Sequence, residues 1–138
     1  MPYITVPQAL LAQDTNGYSD QASEAKTAFH AKGQAFLKNL AKELGLKPGE
    51  FDVRSNLGGI AVSGEVTLHA DHLYVQLGES CTARGIGMLF RGCDSRKDYC
   101  GHTNNWLTMA AFVGAEKQPQ ALVRLRRVHE AASPAAAC

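Results

Sequence analysis

Hydrophobic positions between residues 20 and 44 recur with the 3.6-residue period of an α-helix. Asp20 is a suitable N-cap for such a helix, and Gly45 stands where a left-handed residue commonly follows a helix end. The apolar positions fall on one stripe of the helix surface: Phe29, Gly33, Phe36, Leu37, Leu40 and Leu44. The pattern predicts one long N-terminal helix.

From residue 60 onward the period changes to two, the alternation of a β-strand with one covered face. In IAVSGEVTLHADHLYVQL, apolar and polar residues alternate on both sides of Ala70-Asp71. A tight turn there would pair Leu68 with Leu73 and place both apolar sets on one face. Another turn is predicted at Gly58-Gly59, between a strand over 53–57 and one that begins at Ile60.

Three further segments complete the predicted layout. Alternation over 86–91 indicates another strand, whereas WLTMAAFV is short and apolar and suggests one or two helical turns. PQALVRLRRVHEAA repeats apolar residues at helical spacing after Pro119, and proline is well tolerated in a first helical turn. We therefore expect an α+β fold. In it, an antiparallel meander of three or four strands has the long N-terminal helix and one or two C-terminal helices covering one face.

Length and composition favour an ordinary globular protein. The 138 residues fit one domain, 1–138, with an irregular arm over 1–19 and a frayed tail over 131–138. The net charge of +1 lacks the basic excess typical of proteins that rely on phosphate-backbone binding. No signal-peptide pattern is evident, and no apolar run approaches the roughly 18 residues of a membrane span. These features predict a cytoplasmic protein with reduced cysteines and no membrane partner.

The polar face of the predicted meander is the first candidate site. Antiparallel sheets commonly expose one solvated face, which is the simpler interpretation. Two imidazoles, a tyrosine and few lysines favour a binding face instead, with small residues at Ala61 and Ser63 leaving room. Its candidate residues are Arg54, Asn56, Glu65, His69, His72 and Tyr74.

The connection FRGCDSRKDYCGHTNNWLTM is the second candidate site, because it places cations, a carboxylate, an imidazole and amides between two apolar runs. Arginine and lysine suit phosphates or carboxylates, and amides can bond base edges. The simpler alternative is that Asp98 pairs with a neighbouring arginine and that Asn104 caps a helix. Its candidate ligand-binding residues are Arg91, Arg96, Lys97, Asp98, Asn104 and Asn105.

Metal binding and nucleophilic catalysis are weaker alternatives. His69 and His72, opposed beside the predicted turn, would be close enough to share a metal ion. The spacing Cys-x11-Cys-x6-Cys from Cys81, however, matches no zinc site with paired ligands. A thiol nucleophile at Cys93 or Cys100, activated by His102 or His69, has no family signature around it. We therefore predict no cofactor.

The stretch RSNLGGIAVSGEVTLH, followed by FRGCDSRKDYCGHTNN, resembles small uncharacterised accessory proteins of conjugative plasmids, integrative elements and phages. The resemblance covers roughly residues 50–106. It implies a mobile-genetic-element protein that binds a host or element component. It transfers no role to any residue.

Together these features predict a non-enzymatic binding module that engages nucleic acid or an acidic protein surface, with inhibition of host defence as one such role. Arg91, Arg96 and Lys97 would supply charge, and Asn104 and Asn105 hydrogen bonds. Tyr74 would be a stacking platform, and Glu65 and Asp98 would position the arginines. The alternative is a small enzyme acting on a phosphorylated or nucleotide substrate, with an acid/base from among His69, His72 and His102.

Overall fold

An antiparallel sheet with helices on one of its faces forms the fold. The computed structural model describes residues 4–6, 10, 20–57, 64–79, 86–95, 101–114 and 116–132. In chain order these form α1 (Asp20–Glu43), β1 (Phe51–Asn56), β2 (Glu65–Ala70), β3 (Leu73–Glu79), β4 (Ile86–Gly92), β5 (Asn105–Thr108), a 3₁₀ turn (Met109–Phe112) and α2 (Gln118–Ala132). The predicted α+β class and the long N-terminal helix are confirmed, with five strands instead of three or four.

The sheet is a meander, because its strands are hydrogen-bonded in chain order from β1 to β5 and every pair is antiparallel. The extra strand is β5, which lies where the sequence suggested helical turns. Trp106 pairs with Leu89 and Leu107 with Met88, so the backbone hydrogen bonds of this segment go to β4. The predicted helical character begins later, at the 3₁₀ turn.

The turn between β2 and β3 lies at Asp71-His72, one residue later than predicted. Leu68 therefore pairs with Val75, not with Leu73. This changes the register by two residues, and a shift of two keeps alternating side chains on their original faces. The predicted apolar face is therefore correct although the predicted pairing is wrong.

The connection between β1 and β2 is longer than the two-residue turn predicted at Gly58-Gly59. Asn56 lies opposite Glu65, so eight residues, 57–64, join the two strands. Residues 58–63, which include the predicted start of a strand at Ile60 and the small residues Ala61 and Ser63, lie outside the described residues. The observed register of β1 and β2 differs from the predicted one by an even number of residues. Arg54 and Asn56 therefore remain on the predicted polar face.

The hydrophobic core lies between the sheet and the helices. Helix α1 covers β1 and β2, whereas α2 and the 3₁₀ turn cover β3 and β4. The helix and sheet approach closely at Gly33, where a Cβ would be 3.0 Å from Val66 Cγ2. The largest fully buried side chains include Phe29, Phe36, Leu37, Leu40, Leu68, Leu77, Met88, Phe90 and Phe112. The predicted stripe of α1 supplies the first four.

A buried glutamine ties the N-terminal segment to the start of α2. Gln118 Nε2 donates to the carbonyl oxygens of Ile4, at 2.8 Å, and Phe112, at 2.9 Å. Gln118 Oε1 accepts from the Ile4 backbone N–H at 2.9 Å. Because these buried polar groups satisfy one another, the segment Ile4–Val6 is anchored and does not lie free in solvent.

Candidate binding face

Among the described residues, the helices cover one face of the sheet. The opposite face, which we call the open face, carries the candidate residues in cross-strand rows. Paired residues of antiparallel strands point to the same side of the sheet, so the register defines each row. The first row is Asp52, His69, Tyr74 and Arg91. The second row is Arg54, Thr67, Gln76, Leu89 and Trp106.

Three side chains of the first row, together with Asn104, form a chain of direct contacts. The rings of His69 and Tyr74 meet edge to face, with centroids 5.3 Å apart. Arg91 Cζ lies 4.4 Å from the Tyr74 ring centroid, and Arg91 Nη1 donates to Asn104 Oδ1 at 3.3 Å. We call these four residues (His69, Tyr74, Arg91 and Asn104) the Arg91 row.

Backbone geometry contributes to the position of Arg91. Gly101 has a positive φ of +63°, a conformation that favours glycine. A Cβ at Gly101 would lie 2.6 Å from Arg91 Cδ, so the absent side chain leaves the space that the arginine occupies. The guanidinium is thereby held over the tyrosine.

The Arg91 row carries one permanent positive charge. Burial lowers the pKa of His69, and the positive charge of Arg54 lowers it further. Burial also raises the pKa of Tyr74, which the nearby Arg91 partly opposes. Both aromatic groups are therefore neutral at pH 7, whereas the guanidinium stays charged.

Two of the predicted roles on this face change. The Arg91 guanidinium covers one face of the Tyr74 ring, so the tyrosine positions the arginine and does not offer that face to a ligand. Glu65 was expected to position an arginine, but its Oε2 accepts from Asn56 Nδ2 at 3.1 Å. Within β1, Arg54 forms an ion pair with Asp52 at 3.7 Å, and both side chains are about half exposed.

Trp106 is the functional candidate that the sequence did not reveal. It is the chain's single tryptophan, and it remains 60% exposed at the end of the second row, opposite Leu89. The sequence pattern placed Trp106 in a predicted helical segment, WLTMAAFV, and gave it no role apart from the other apolar residues there. The alternation Trp106, Leu107, Thr108 was the available signal for a strand that turns the indole outward.

The predicted site residues in the connection before β5 do not all belong to one site. Asn104 contacts Arg91 and belongs to the site. Asn105 pairs with Phe90, which is on the other face of the sheet, and its Nδ2 donates to the carbonyl oxygens of Phe90 and Thr103. Neither asparagine caps a helix, because a strand begins at Asn105. Arg96, Lys97 and Asp98 lie outside the described residues.

The predicted histidine pair is separated. His69 lies opposite Tyr74 and shares a hydrogen bond of 2.9 Å with Thr67 Oγ1. His72 lies in the turn itself and bonds through Nδ1 to the Cys93 carbonyl oxygen at 3.2 Å. The opposed arrangement on which the metal alternative depended is therefore not formed. The part of the chain that the structure describes contains no group of three or more potential metal ligands.

Cys93 is a structural thiol. It is buried, and its Sγ donates to the carbonyl oxygens of Ala70 and Asp71, both at 3.6 Å. His102 instead pairs with Asp94, with Nε2 and Oδ1 3.0 Å apart. The proposed combination of Cys93 with His102 is therefore not formed. Cys81, Cys100 and Cys138 lie outside the described residues.

Comparisons with known proteins assign no family. No family model matches the chain, and neither curated proteins nor solved structures gave a match. Among the described residues, no helix has the length and apolar character needed to cross a bilayer. The resemblance to mobile-element accessory proteins stays a prediction.

Proposed function

We propose that this chain is a non-enzymatic binding module whose open face engages nucleic acid. The observation that carries the proposal is the arginine held between Tyr74 and Asn104, on the same face as the exposed Trp106. A fixed guanidinium can bind a phosphate, and an exposed aromatic ring beside it can stack on a base. Together they match the two kinds of group that a nucleic acid presents.

Charge distribution supports an anionic ligand on this side of the sheet. Strands β4 and β5 contain no Asp or Glu, and their one charged side chain is Arg91. The carboxylates of the open face, Asp52 and Glu65, lie on β1 and β2 and contact Arg54 and Asn56. Among the described strands, the β4–β5 side of the face therefore carries Arg91 and no carboxylate, although the net charge of the whole chain is only +1.

Binding of labelled oligonucleotides, followed by fluorescence anisotropy over a range of salt concentrations, tests the proposal. Replacing Arg91 by Gln should weaken binding by about tenfold and reduce the salt slope by about one, as expected for one lost phosphate contact. Arg127→Gln is the matched control. Arg127 is exposed on α2, so its substitution removes the same charge from another surface. It should bind like the wild type.

Failure to bind any DNA or RNA oligonucleotide at low salt would refute the nucleic-acid proposal. Binding of polyglutamate under the same conditions, lost in Arg91→Gln, would then identify an acidic protein surface as the ligand. The mobile-element context and a role against host defence belong to the proposal and rest on the resemblance alone.

The pair His102–Asp94 favours one second candidate, an enzyme that acts on a phosphorylated or nucleotide substrate. A carboxylate 3.0 Å from an imidazole can hold the ring in the orientation and tautomer that general acid/base catalysis needs. A panel of phosphate esters and nucleotides tests this candidate. Turnover that His102→Ala abolishes and Arg127→Gln preserves would establish it.

A further inference from the structure

We infer that the β4–β5 side of the open face binds single-stranded nucleic acid, with Trp106 stacking on an unpaired base and Arg91 contacting the adjacent phosphate. This inference rests on the proposed function and specifies the form of the ligand. It follows from three properties of the face: an exposed indole, its distance from a fixed cation, and the local charge.

Trp106 presents an aromatic side chain that the fold leaves 60% exposed. Four large hydrophobic side chains of the described residues are exposed: Leu57, Trp106, Val113 and Val123. Trp106 is the aromatic one, and it stands on a strand, where side chains point roughly perpendicular to the sheet. An indole in this position can receive a base on its π-face without any rearrangement of the backbone.

The spacing between Trp106 and Arg91 suits one nucleotide. Leu89 lies opposite Trp106, and Arg91 is two residues further along β4, so Arg91 and Trp106 are diagonal neighbours. Diagonal positions across an antiparallel pair are about 7–8 Å apart, within reach of long side chains. One nucleotide can therefore place its base on the indole and its phosphate at the guanidinium.

A second cation lies beside the tryptophan. Arg124 of α2 donates from Nη1 to the Trp106 carbonyl oxygen at 3.5 Å, and its Cζ is 5.5 Å from the Phe90 ring centroid. Because Phe90 faces the helices, Arg124 lies on the covered side of the sheet, at the edge formed by β5. Its charge adds to that of Arg91 at this edge but lies outside the open face.

Duplex DNA fits this surface poorly. The major groove admits a helix or a two-stranded ribbon, whereas the open face is five strands wide. In a duplex the base faces are covered by their neighbours, so an indole standing on a sheet cannot reach them. Single strands expose these faces, and stacking on them tolerates different sequences.

The single tryptophan makes the test direct. Titrating the protein with an unstructured oligothymidine should quench its fluorescence, and the single strand should bind at least about tenfold tighter than a duplex of equal length. In anisotropy measurements Trp106→Ala should lose about tenfold or more in single-strand affinity, whereas Trp106→Phe should keep most of it. Val123→Ala is the control, because Val123 is also apolar and exposed, at 41%, but lies on α2.

The outcomes separate this inference from the proposed function. Equal affinity for single strand and duplex, with unchanged binding by Trp106→Ala and reduced binding by Arg91→Gln, would overturn the inference and leave the proposed function standing. No binding of either form would overturn both. Far-UV circular dichroism of each variant establishes that it is folded, and Trp106→Phe keeps an aromatic ring at the position.

Discussion

Arg91 and Tyr74 are directly paired across β3 and β4, and the guanidinium carbon lies 4.4 Å from the centre of the phenol ring. The contact links Arg91 to a side chain that is itself held in place, because the Tyr74 hydroxyl donates to Gln76 Oε1 at 2.8 Å. The orientation of the arginine is therefore part of the folded structure and does not depend on a ligand.

A double-mutant cycle should detect this contact in the free energy of unfolding. Tyr74→Leu and Arg91→Gln are expected to show a coupling of about 0.5–1 kcal/mol, the range of a partly exposed cation–π interaction. Urea denaturation of the wild type, both single variants and the double variant measures it. Tyr74→Leu combined with Arg127→Gln should be additive, and a coupling of zero in the Arg91 cycle would contradict the geometry.

Gly64, just before β2, should not tolerate a side chain. Its φ is +74°, and a Cβ would collide with the Asn56 carbonyl oxygen, so Gly64→Ala must both strain and move the backbone. We expect a loss of about 2–3 kcal/mol in the free energy of unfolding. Gly49→Ala is the matched control, because Gly49 has a φ of +93° and no atom within 4 Å of its Cβ position.

Gly49→Ala should cost only the conformational strain, about 1 kcal/mol. Denaturant unfolding of the two variants measures the difference between them. Equal destabilisation by the two substitutions would show that Gly64 is not in steric contact with the end of β1.

Replacing Gln118 by Leu should remove the hydrogen-bonding partner of three buried backbone groups. The free energy of unfolding should fall by about 2–3 kcal/mol, because the amide and carbonyl groups of Ile4 and the carbonyl of Phe112 lose their partner. Thermal and urea denaturation measure the loss. Gln34→Leu, which removes one exposed hydrogen bond to Ser55, should cost less than about 1 kcal/mol.

Two histidines should make the protein less stable in mild acid. Burial lowers the pKa values of His69 and His129 below 6.5, and the nearby His72 lowers that of His129 further. The unfolded chain then binds more protons than the folded chain just below pH 6.5, so stability should be full above that pH and fall as the pH decreases.

Urea denaturation between about pH 7.5 and 5.5 measures this dependence. A variant with His69→Gln and His129→Gln should show a flatter pH dependence than the wild type. His102→Gln is the comparison for a histidine that pairs with a carboxylate. A wild-type stability that rises as the pH falls through this range would contradict the predicted sign.

The features predicted correctly from the sequence are those that a repeating local pattern of apolar and polar residues determines. The apolar stripe of α1 and the alternation of β2 and β3 each repeat over many residues, so the long helix and the covered face were correct. The turn position was not determined, because a shift by two residues preserves the alternation. For this reason Tyr74 stands opposite His69 in place of the predicted His72.

Short segments and long-range contacts set the limit of sequence prediction for the site. Strand β5 has four residues, too few to distinguish a strand from a helical turn by period, and its pairing with β4 decides its structure. Trp106 was missed for that reason. The contact of Arg91 with Tyr74 depends on the register of two strands, and that of His102 with Asp94 depends on the path of a connection.

The meander order has a consequence for how the chain folds. Each strand pairs with its predecessor in sequence, so each hairpin closes a loop of at most 12 residues, the longest being 93–104. Closing such loops has a modest cost in entropy, which favours rapid assembly. The contact between Ile4 and Gln118 is different, because it spans 114 residues. The groups that Ile4 and Gln118 bring together reach their positions only once α2 and the preceding 3₁₀ turn have formed. Among the described segments, Ile4–Val6 is therefore expected to be one of the last to reach its native position.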